Sequence, residues 1–187
     1  MGWGGIKPDK LQRLPGGVKI SEYLLKNHGY KVPDKRSQSI QGVTIMPVPV
    51  HLLEECNPVT RFGWVVESSD DLATLNIAEL KPDGQIPHYI VTLHSEWQIL
   101  DNADCWQRSN GTANNTTLGV AITMDDGLLS SQYKRTALNR AEMLVAYLLK
   151  KNRLTVKNIY ITKDCPEFFT SRWKDFKQAV QAQLKKL

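Results

Sequence analysis

One feature constrains the fold of this chain more than any other: a helix-type pattern stands between two strand-type patterns. Residues 117–123 (TLGVAIT) and residues 156–162 (VKNIYIT) are rich in the β-branched and apolar residues that favour buried strands. Between them, apolar residues recur at three- and four-residue spacing, which is typical of an amphipathic helix. These residues are Leu138, Ala141, Leu144, Val145, Leu148 and Leu149. A strand, a helix and a strand in this order predict an α/β fold.

The neighbouring segments extend the same pattern. Residues 88–93 and 96–100 predict two strands of a hairpin. Residues 42–46 predict another buried strand, and we expect Pro47 and Pro49 to limit its pairing in the centre of a sheet. A last helix is predicted by apolar residues on one face, which are Trp173, Phe176, Val180 and Leu184. The predicted fold class is therefore α/β, with a mixed β-sheet flanked by helices.

The first 42 residues differ in composition from the rest of the chain. Seven glycines and three prolines fall among them, and such a segment favours turns over a core of its own. We predict one helix there, with Ser21 as its N-cap and Gly29 after its end. The sequence thus predicts a Gly/Pro-rich N-terminal arm over residues 1–42 and one further domain over residues 43–187.

Residues 52–85 carry the weakest patterns of the chain. A helix over Leu72–Leu80, capped by Asp70 or Asp71, is the one element that we predict there.

Composition and charge exclude several classes of protein without selecting one. With 41% apolar and 23% charged residues, the chain has the composition of an ordinary globular domain. Its net charge of +5 suits an anionic partner of any kind, although we expect no nucleic acid. No apolar run approaches the roughly 18 residues of a membrane span, and the N-terminus lacks a signal-peptide pattern. Three cysteines without CxxC spacing fit synthesis in a reducing cytoplasm.

Residues 86–180 contain, in order, several short motifs of one enzyme family. They resemble the zinc-dependent N-acetylmuramoyl-L-alanine amidases of type 2, a family that includes peptidoglycan recognition proteins and phage endolysins. The motifs are Pro87-His88-Tyr89-Ile90-Val91, Trp97-Gln98-Ile99-Leu100, Cys105-Trp106-Gln107-Arg108, Leu118-Gly119-Val120-Ala121, Asn139-Arg140-Ala141, Lys163-Asp164-Cys165-Pro166, and Trp173 with Phe176. The resemblance implies an amidase-like fold over about half of the chain.

The resemblance also implies a zinc site of two histidines and a cysteine or aspartate. Cys165 stands at the position of the third ligand. The first histidine position falls on Met46 if the first strand is 43–46, or on His51 if it is 48–51. The second falls on Ile161 or Thr162, and no histidine follows His94 in the chain.

The groups that would move protons and hold the substrate are also changed. Where the resemblance implies a proton-shuttling glutamate, the chain has Ala121, and Gln107 replaces a histidine. Lys163 remains at the position near the developing oxyanion. Trp106, Gln107 and Lys163 are the candidate contacts of the old substrate groove. For His88 we expect a structural role in the core.

These losses lead to three hypotheses about function. The first is a pseudoenzyme that serves as a structural or adaptor component of a larger assembly, most naturally a bacteriophage tail or baseplate. It would bind other protein subunits, need no cofactor and be associated with the virion. The second is a non-catalytic module that binds peptidoglycan. The third is an active zinc amidase of the endolysin type, in which His51 and Cys165 would be ligands.

Overall fold

A computed structural model describes residues 8–30, 32–49, 65–66, 75–76, 86–91, 96–106, 113–124, 131–162 and 170–187. The strands are β1 (Lys10–Arg13), β2 (Lys19–Glu22), β3 (Gly42–Pro49), β4 (Val65–Val66), β5 (Leu75–Asn76), β6 (Tyr89–Val91), β7 (Glu96–Gln98), β8 (Thr117–Met124) and β9 (Ile159–Ile161). The α-helices are α1 (Ala113–Thr116), α2 (Ser131–Lys151) and α3 (Trp173–Lys186). Short 3-10 helices span Pro15–Gly17, Leu25–His28 and Val156–Asn158.

Seven strands form one mixed sheet in the order β1-β2-β7-β6-β8-β3-β9. Its centre is parallel, because β8 pairs with both β6 and β3, and β3 pairs with β9. The strands β6 and β7 pair antiparallel, which confirms the predicted hairpin. Helices α2 and α3 pack against each other on this sheet. The predicted α/β class, with a mixed sheet and flanking helices, is confirmed.

The N-terminal segment contributes strands to this sheet. Strand β2 pairs parallel with β7, and β1 pairs antiparallel with β2 at the edge. Ser21 lies inside β2 opposite Trp97, so the helix predicted to begin at Ser21 is wrong. Pairing with β7 provides hydrogen-bond partners for the backbone groups that would otherwise bond within a helix. Only Leu25–His28 forms a 3-10 turn, closed as predicted by Gly29 in the left-handed conformation. The division of the chain at residue 42 stays a prediction.

The two prolines do not end β3. The strand remains in register with β8 as far as Pro49, opposite Met124. Pairing with β9, in contrast, stops near Ile45, whose carbonyl accepts from the backbone of Thr162. Backbone N–H groups of alternate residues point to the same side of a strand, so the nitrogens of Pro47 and Pro49 face the same side of β3 as that of Ile45. This is the side of β9, whose pairing with β3 ends at Ile45, so no ladder hydrogen bond from these nitrogens to β9 is needed. The prolines are therefore tolerated on the side of β3 that lies beyond its described pairing with β9.

A small antiparallel pair, β4 with β5, stands apart from the main sheet. Because Leu75 and Asn76 pair as a strand, the helix predicted over Leu72–Leu80 is wrong at these two residues. Among the described helices, none combines the length and the apolar character that a membrane crossing requires.

Two apolar clusters occupy the two faces of the sheet. The larger one joins alternate residues of the strands to α2 and α3, and includes Ile45, Val120, Leu144 and Phe176. The smaller one lies on the opposite face and includes Met46, Ile90, Trp97, Trp106 and Ala121. Alternation along each strand assigns neighbouring residues to opposite faces. Of the described residues that the resemblance connects with chemistry, Met46, Trp106 and Ala121 belong to the cluster on the second face.

Candidate functional site

A row of apolar side chains crosses the centre of the second face. Ala121 on β8 pairs in register with Ile90 on β6 and with Met46 on β3. Ile90 pairs in turn with Trp97 on β7. These four side chains belong to one buried cluster, and none of them is more than 5% exposed. The positions that the resemblance assigns to the first histidine, if this is Met46, and to the glutamate are thus direct neighbours.

The structure also distinguishes between the two residues left open for the second histidine. Ile161 packs against the aliphatic cluster under the helices. Thr162 follows it, is 2% exposed, and donates its backbone N–H to the carbonyl of Ile45 at 3.1 Å. By strand alternation, Thr162 lies on the face of Met46. Met46, Ala121 and Thr162 therefore lie side by side on this face, in the middle of β3 and β8 and directly after the end of β9.

Zinc needs nitrogen, sulfur or oxygen donors such as imidazole, thiolate or carboxylate. Met46, Ala121 and Thr162 offer a thioether, a methyl group and a threonine side chain instead, so these three residues do not fit a zinc ion. In the described ranges, no three His, Cys, Asp or Glu side chains are grouped as a metal site. The candidate ligands His51 and Cys165 lie outside the described residues, as do Gln107 and Lys163. Their roles stay predictions.

Trp106 lies beside this row, packed on the backbone of β8. A Cβ atom added to Gly119 would come within 2.6 Å of the indole ring, so the ring occupies the space that a side chain would fill. The indole is 1% exposed, and its Nε1 donates to the hydroxyl of Thr117 at 3.2 Å. That hydroxyl also bonds the hydroxyl of Thr44 at 2.8 Å. Trp106 is a core side chain here, and its role as a groove contact stays a prediction that requires the ring to leave Gly119.

His88 is a buried histidine with a partner for each ring nitrogen. Its Nε2 lies 2.7 Å from the carbonyl oxygen of Asp104, and its Nδ1 accepts from the backbone N–H of Gly119 at 3.0 Å. Complete burial lowers the pKa of His88 to about 3, so the imidazole is neutral and donates from Nε2. The predicted structural role of this histidine is confirmed.

Arg36, from the N-terminal segment, binds the same region. Its Nε donates to the carbonyl of Asn102 at 2.7 Å, its Nη1 to that of Asn115 at 2.7 Å, and its Nη2 to that of Asp104 at 3.1 Å. Half-burial lowers the pKa of this guanidinium from its ordinary value. Sequence reasoning missed Arg36, because its partners are main-chain carbonyls and leave no motif.

The comparisons with known proteins bear on the fold. No protein family model matches the chain, and no curated protein matches it. Among solved structures, a mutant endolysin from Bacillus subtilis is similar with a TM-score of 0.59 and 18% identity, covering 87% of this chain and 99% of that one. PlyL is similar with a TM-score of 0.59 and 16% identity, over 89% and 98% of the two chains.

The hydrolase AmiA of Staphylococcus aureus, solved with its ligand, is also similar. Its TM-score is 0.58 with 8% identity, over 96% of this chain and 85% of that one. Structural similarity at such low sequence identity shows a shared fold. It does not show a shared activity, which depends on the individual residues of the site. The chain has the amidase-like fold of these endolysin and hydrolase domains.

Proposed function

We propose that the chain is a catalytically degenerate member of this fold, without amidase activity. The observation that supports the proposal is the junction of Met46, Ala121 and Thr162 on the second face of the sheet. All three are at most 2% exposed, and none carries an imidazole or a carboxylate at the positions where the resemblance implies two histidines and the glutamate.

The chemistry of amide hydrolysis explains why this junction matters. A zinc hydrolase needs three protein ligands, an open position for water and a group that transfers the proton. A methyl group at Ala121 cannot accept a proton, and a thioether at Met46 is a poor replacement for an imidazole ligand. With the ligands reduced to candidates such as Cys165, a bound and activated water is not expected.

The role that we propose is structural: an adaptor that contacts other protein subunits in a larger assembly, such as a bacteriophage tail or baseplate. Two arguments support it. The fold is one found in endolysins, and the chain has Ala121 and Gln107 where the resemblance implies a glutamate and a histidine. A retained fold without its chemistry is consistent with selection for surface and shape.

The test is an assay of amide cleavage on purified peptidoglycan, with added zinc and with a zinc amidase of established activity as the positive control. We expect no release of free amino groups by this chain. Activity that disappears with a chelator and with Cys165→Ser would contradict the proposal and favour the active amidase, with His51 and Cys165 as ligands. The purified chain should also lack stoichiometric zinc by elemental mass spectrometry.

A second candidate is a non-catalytic module that binds peptidoglycan. It is favoured by the likeness to endolysin domains over nearly their whole length. Such a module should sediment with purified cell walls without cleaving them. An adaptor should instead remain in the supernatant and co-purify with particles. Sedimentation that is reduced by Lys163→Ala or Gln107→Ala would favour the wall-binding module.

A further inference from the structure

We propose that the adjoining C-terminal ends of helices α2 and α3 bind a flexible phosphate polymer without bases, namely a chain of polyol phosphates. Five exposed cations form this helix-end surface, and they are Lys150, Lys151, Arg153, Lys185 and Lys186. The inference goes beyond the proposed function and does not depend on it. It uses none of the residues on the second face of the sheet.

The positive charge of the chain is concentrated in one part of the sequence. Residues 150–187 contain ten of the 24 lysines and arginines but three of the 19 aspartates and glutamates. Residues 1–149 therefore carry a slight excess of acidic groups. Neither residues 143–162 nor residues 176–187 contain an acidic residue. The net charge of +5 thus comes from the segment that builds the two helix ends.

The fold brings these two helix ends together. Nζ of Lys150, in the last turn of α2, donates to the carbonyl of Leu187, directly after α3. Lys185 and Lys186 occupy the last turn of α3, so they lie next to this contact. Among the described residues, none of the five cations forms an ion pair with an aspartate or a glutamate. Like charges are therefore held close together without acidic partners.

The stabilisation of helix ends accounts for only part of this charge. Cations in a last turn are favourable, because each helix C-terminus carries about half of a negative elementary charge. Two helix ends therefore balance about one cation, and a carboxylate on Leu187 would balance one more. The five cations exceed both together, so about three positive charges remain to attract an anionic ligand.

Arg153 has a backbone conformation that favours glycine. Its φ is 57°, and it is the one non-glycine residue with a positive φ in the described ranges. Its N–H donates to the carbonyl of Lys150 at 3.1 Å, and the N–H of Leu154 donates to that of Leu149 at 2.8 Å. This is the Schellman pattern, in which glycine usually stands at the place of Arg153, as Gly29 does after its 3-10 turn. An arginine here destabilises the helix end, so its retention is consistent with a use of its charge outside folding.

A ligand without bases and without apolar groups fits this surface best. The large hydrophobic side chains described as exposed are Leu11 and Tyr160, and neither belongs to the helix-end surface. Tyr160 pairs in register with Thr44 and covers Gly42, so its ring lies on the second face of the sheet, away from the helices. Protein interfaces have an apolar centre, and single-stranded nucleic acids stack their bases on aromatic rings. A phosphate polymer requires the cations alone.

The experiment measures the binding of an end-labelled poly(glycerol phosphate) chain to the full chain by fluorescence anisotropy at several salt concentrations. We expect the affinity to fall as salt is raised, because bound cations release counterions from the phosphates. Lys151→Gln/Lys185→Gln should weaken binding about tenfold and make the slope of log affinity against log salt shallower by about one to two. As the matched control, Lys10→Gln/Lys35→Gln removes the same charge on β1 and in the segment that pairs with Asp104, and should leave the affinity within about twofold.

Arg153→Gly separates binding from folding. Glycine adopts the left-handed conformation without strain, so the urea midpoint of this variant should rise. The loss of one cation should nevertheless weaken binding several-fold. A purely structural role of Arg153 would change the midpoint alone. Circular dichroism melts verify that every variant is folded.

Several results would overturn the proposal. These are no binding of the polymer, equal losses in the two lysine pairs, or an unchanged affinity in Arg153→Gly. Tighter binding of an oligonucleotide with the same number of phosphates would assign the surface to nucleic acid. Equal binding of poly-glutamate would show that phosphate is not selected. Amide cleavage would contradict the proposed function and leave this inference intact, whereas absence of polymer binding would contradict only this inference.

Discussion

The two faces of the sheet are both buried but are organised differently. Under α2 and α3, most described core side chains are aliphatic or aromatic, such as Leu144, Val145 and Val180 with 0% exposure, and the buried polar residues Glu96 and Gln98 lie on β7. On the opposite face, buried polar groups stand beside the apolar row, and His88 and Thr117 each have specific hydrogen-bond partners. The stability of the first face depends mainly on how completely its side chains fill the available volume. The second depends on individual contacts that must all be satisfied.

The largest expected effect tests the aliphatic face. Leu144→Ala removes a fully buried side chain from α2 and leaves a cavity against the sheet, so it should lower the free energy of unfolding by about 3–4 kcal/mol. Urea denaturation measures this loss. Leu144→Met keeps the volume and should cost less than about 1.5 kcal/mol. Equal losses in the two variants would show that this face does not depend on volume.

The second effect tests the polar face at Arg36. Arg36→Met retains much of the side-chain length but leaves the carbonyls of Asn102, Asn115 and Asp104 without their charged donor. We expect a loss of about 3 kcal/mol in the free energy of unfolding. Arg36→Lys should rescue only a small part, since an ammonium lacks the planar fork that reaches three carbonyls. Full rescue by lysine would mean that charge alone is needed.

A third, smaller effect tests the contact between Gly119 and Trp106. Gly119→Ala places a Cβ about where the indole ring lies, and overpacking should cost about 2 kcal/mol. Trp106→Leu in the same chain should recover part of this loss, because the smaller side chain leaves room for the methyl group. A double-mutant cycle in urea measures the coupling. Strict additivity of the two changes would contradict the close packing.

The last effect, which is the smallest when counted per pH unit, is a pH dependence to which His88 on the polar face should contribute. The pKa of His88 is lowered from 6.5 to about 3 by burial, so the unfolded chain binds the proton first as the pH falls. The contribution of neutral His88 to the free energy of unfolding is fully present above about pH 6.5. As the pH falls toward 3, this contribution is lost by at most about 1.4 kcal/mol per pH unit. His88→Gln should remove this part of the slope of unfolding free energy against pH. An unchanged slope would exclude His88 as its source.

The helices and strands whose apolar residues have a regular spacing could be predicted from the sequence. Helix α2 and strand β8 appear where the spacing of apolar residues indicates them, because burial of one helix stripe or of a whole strand is a local requirement on composition. The hairpin of β6 and β7 follows for the same reason. For the candidate site, the sequence identified the positions but left Met46 or His51, and Ile161 or Thr162, as alternatives.

The sequence by itself determined the α/β class, the helices that cover the sheet and the motifs that resemble the amidases. Only the tertiary structure decided that Lys19–Glu22 joins the sheet beside β7, that Arg36 binds three distant carbonyls, and that Met46, Ala121 and Thr162 lie side by side on one face of the sheet. The physical reason is the range of the interactions. Periodic burial is written into neighbouring residues, whereas strand pairing and main-chain hydrogen bonds join segments far apart in sequence and depend little on which side chains those segments carry.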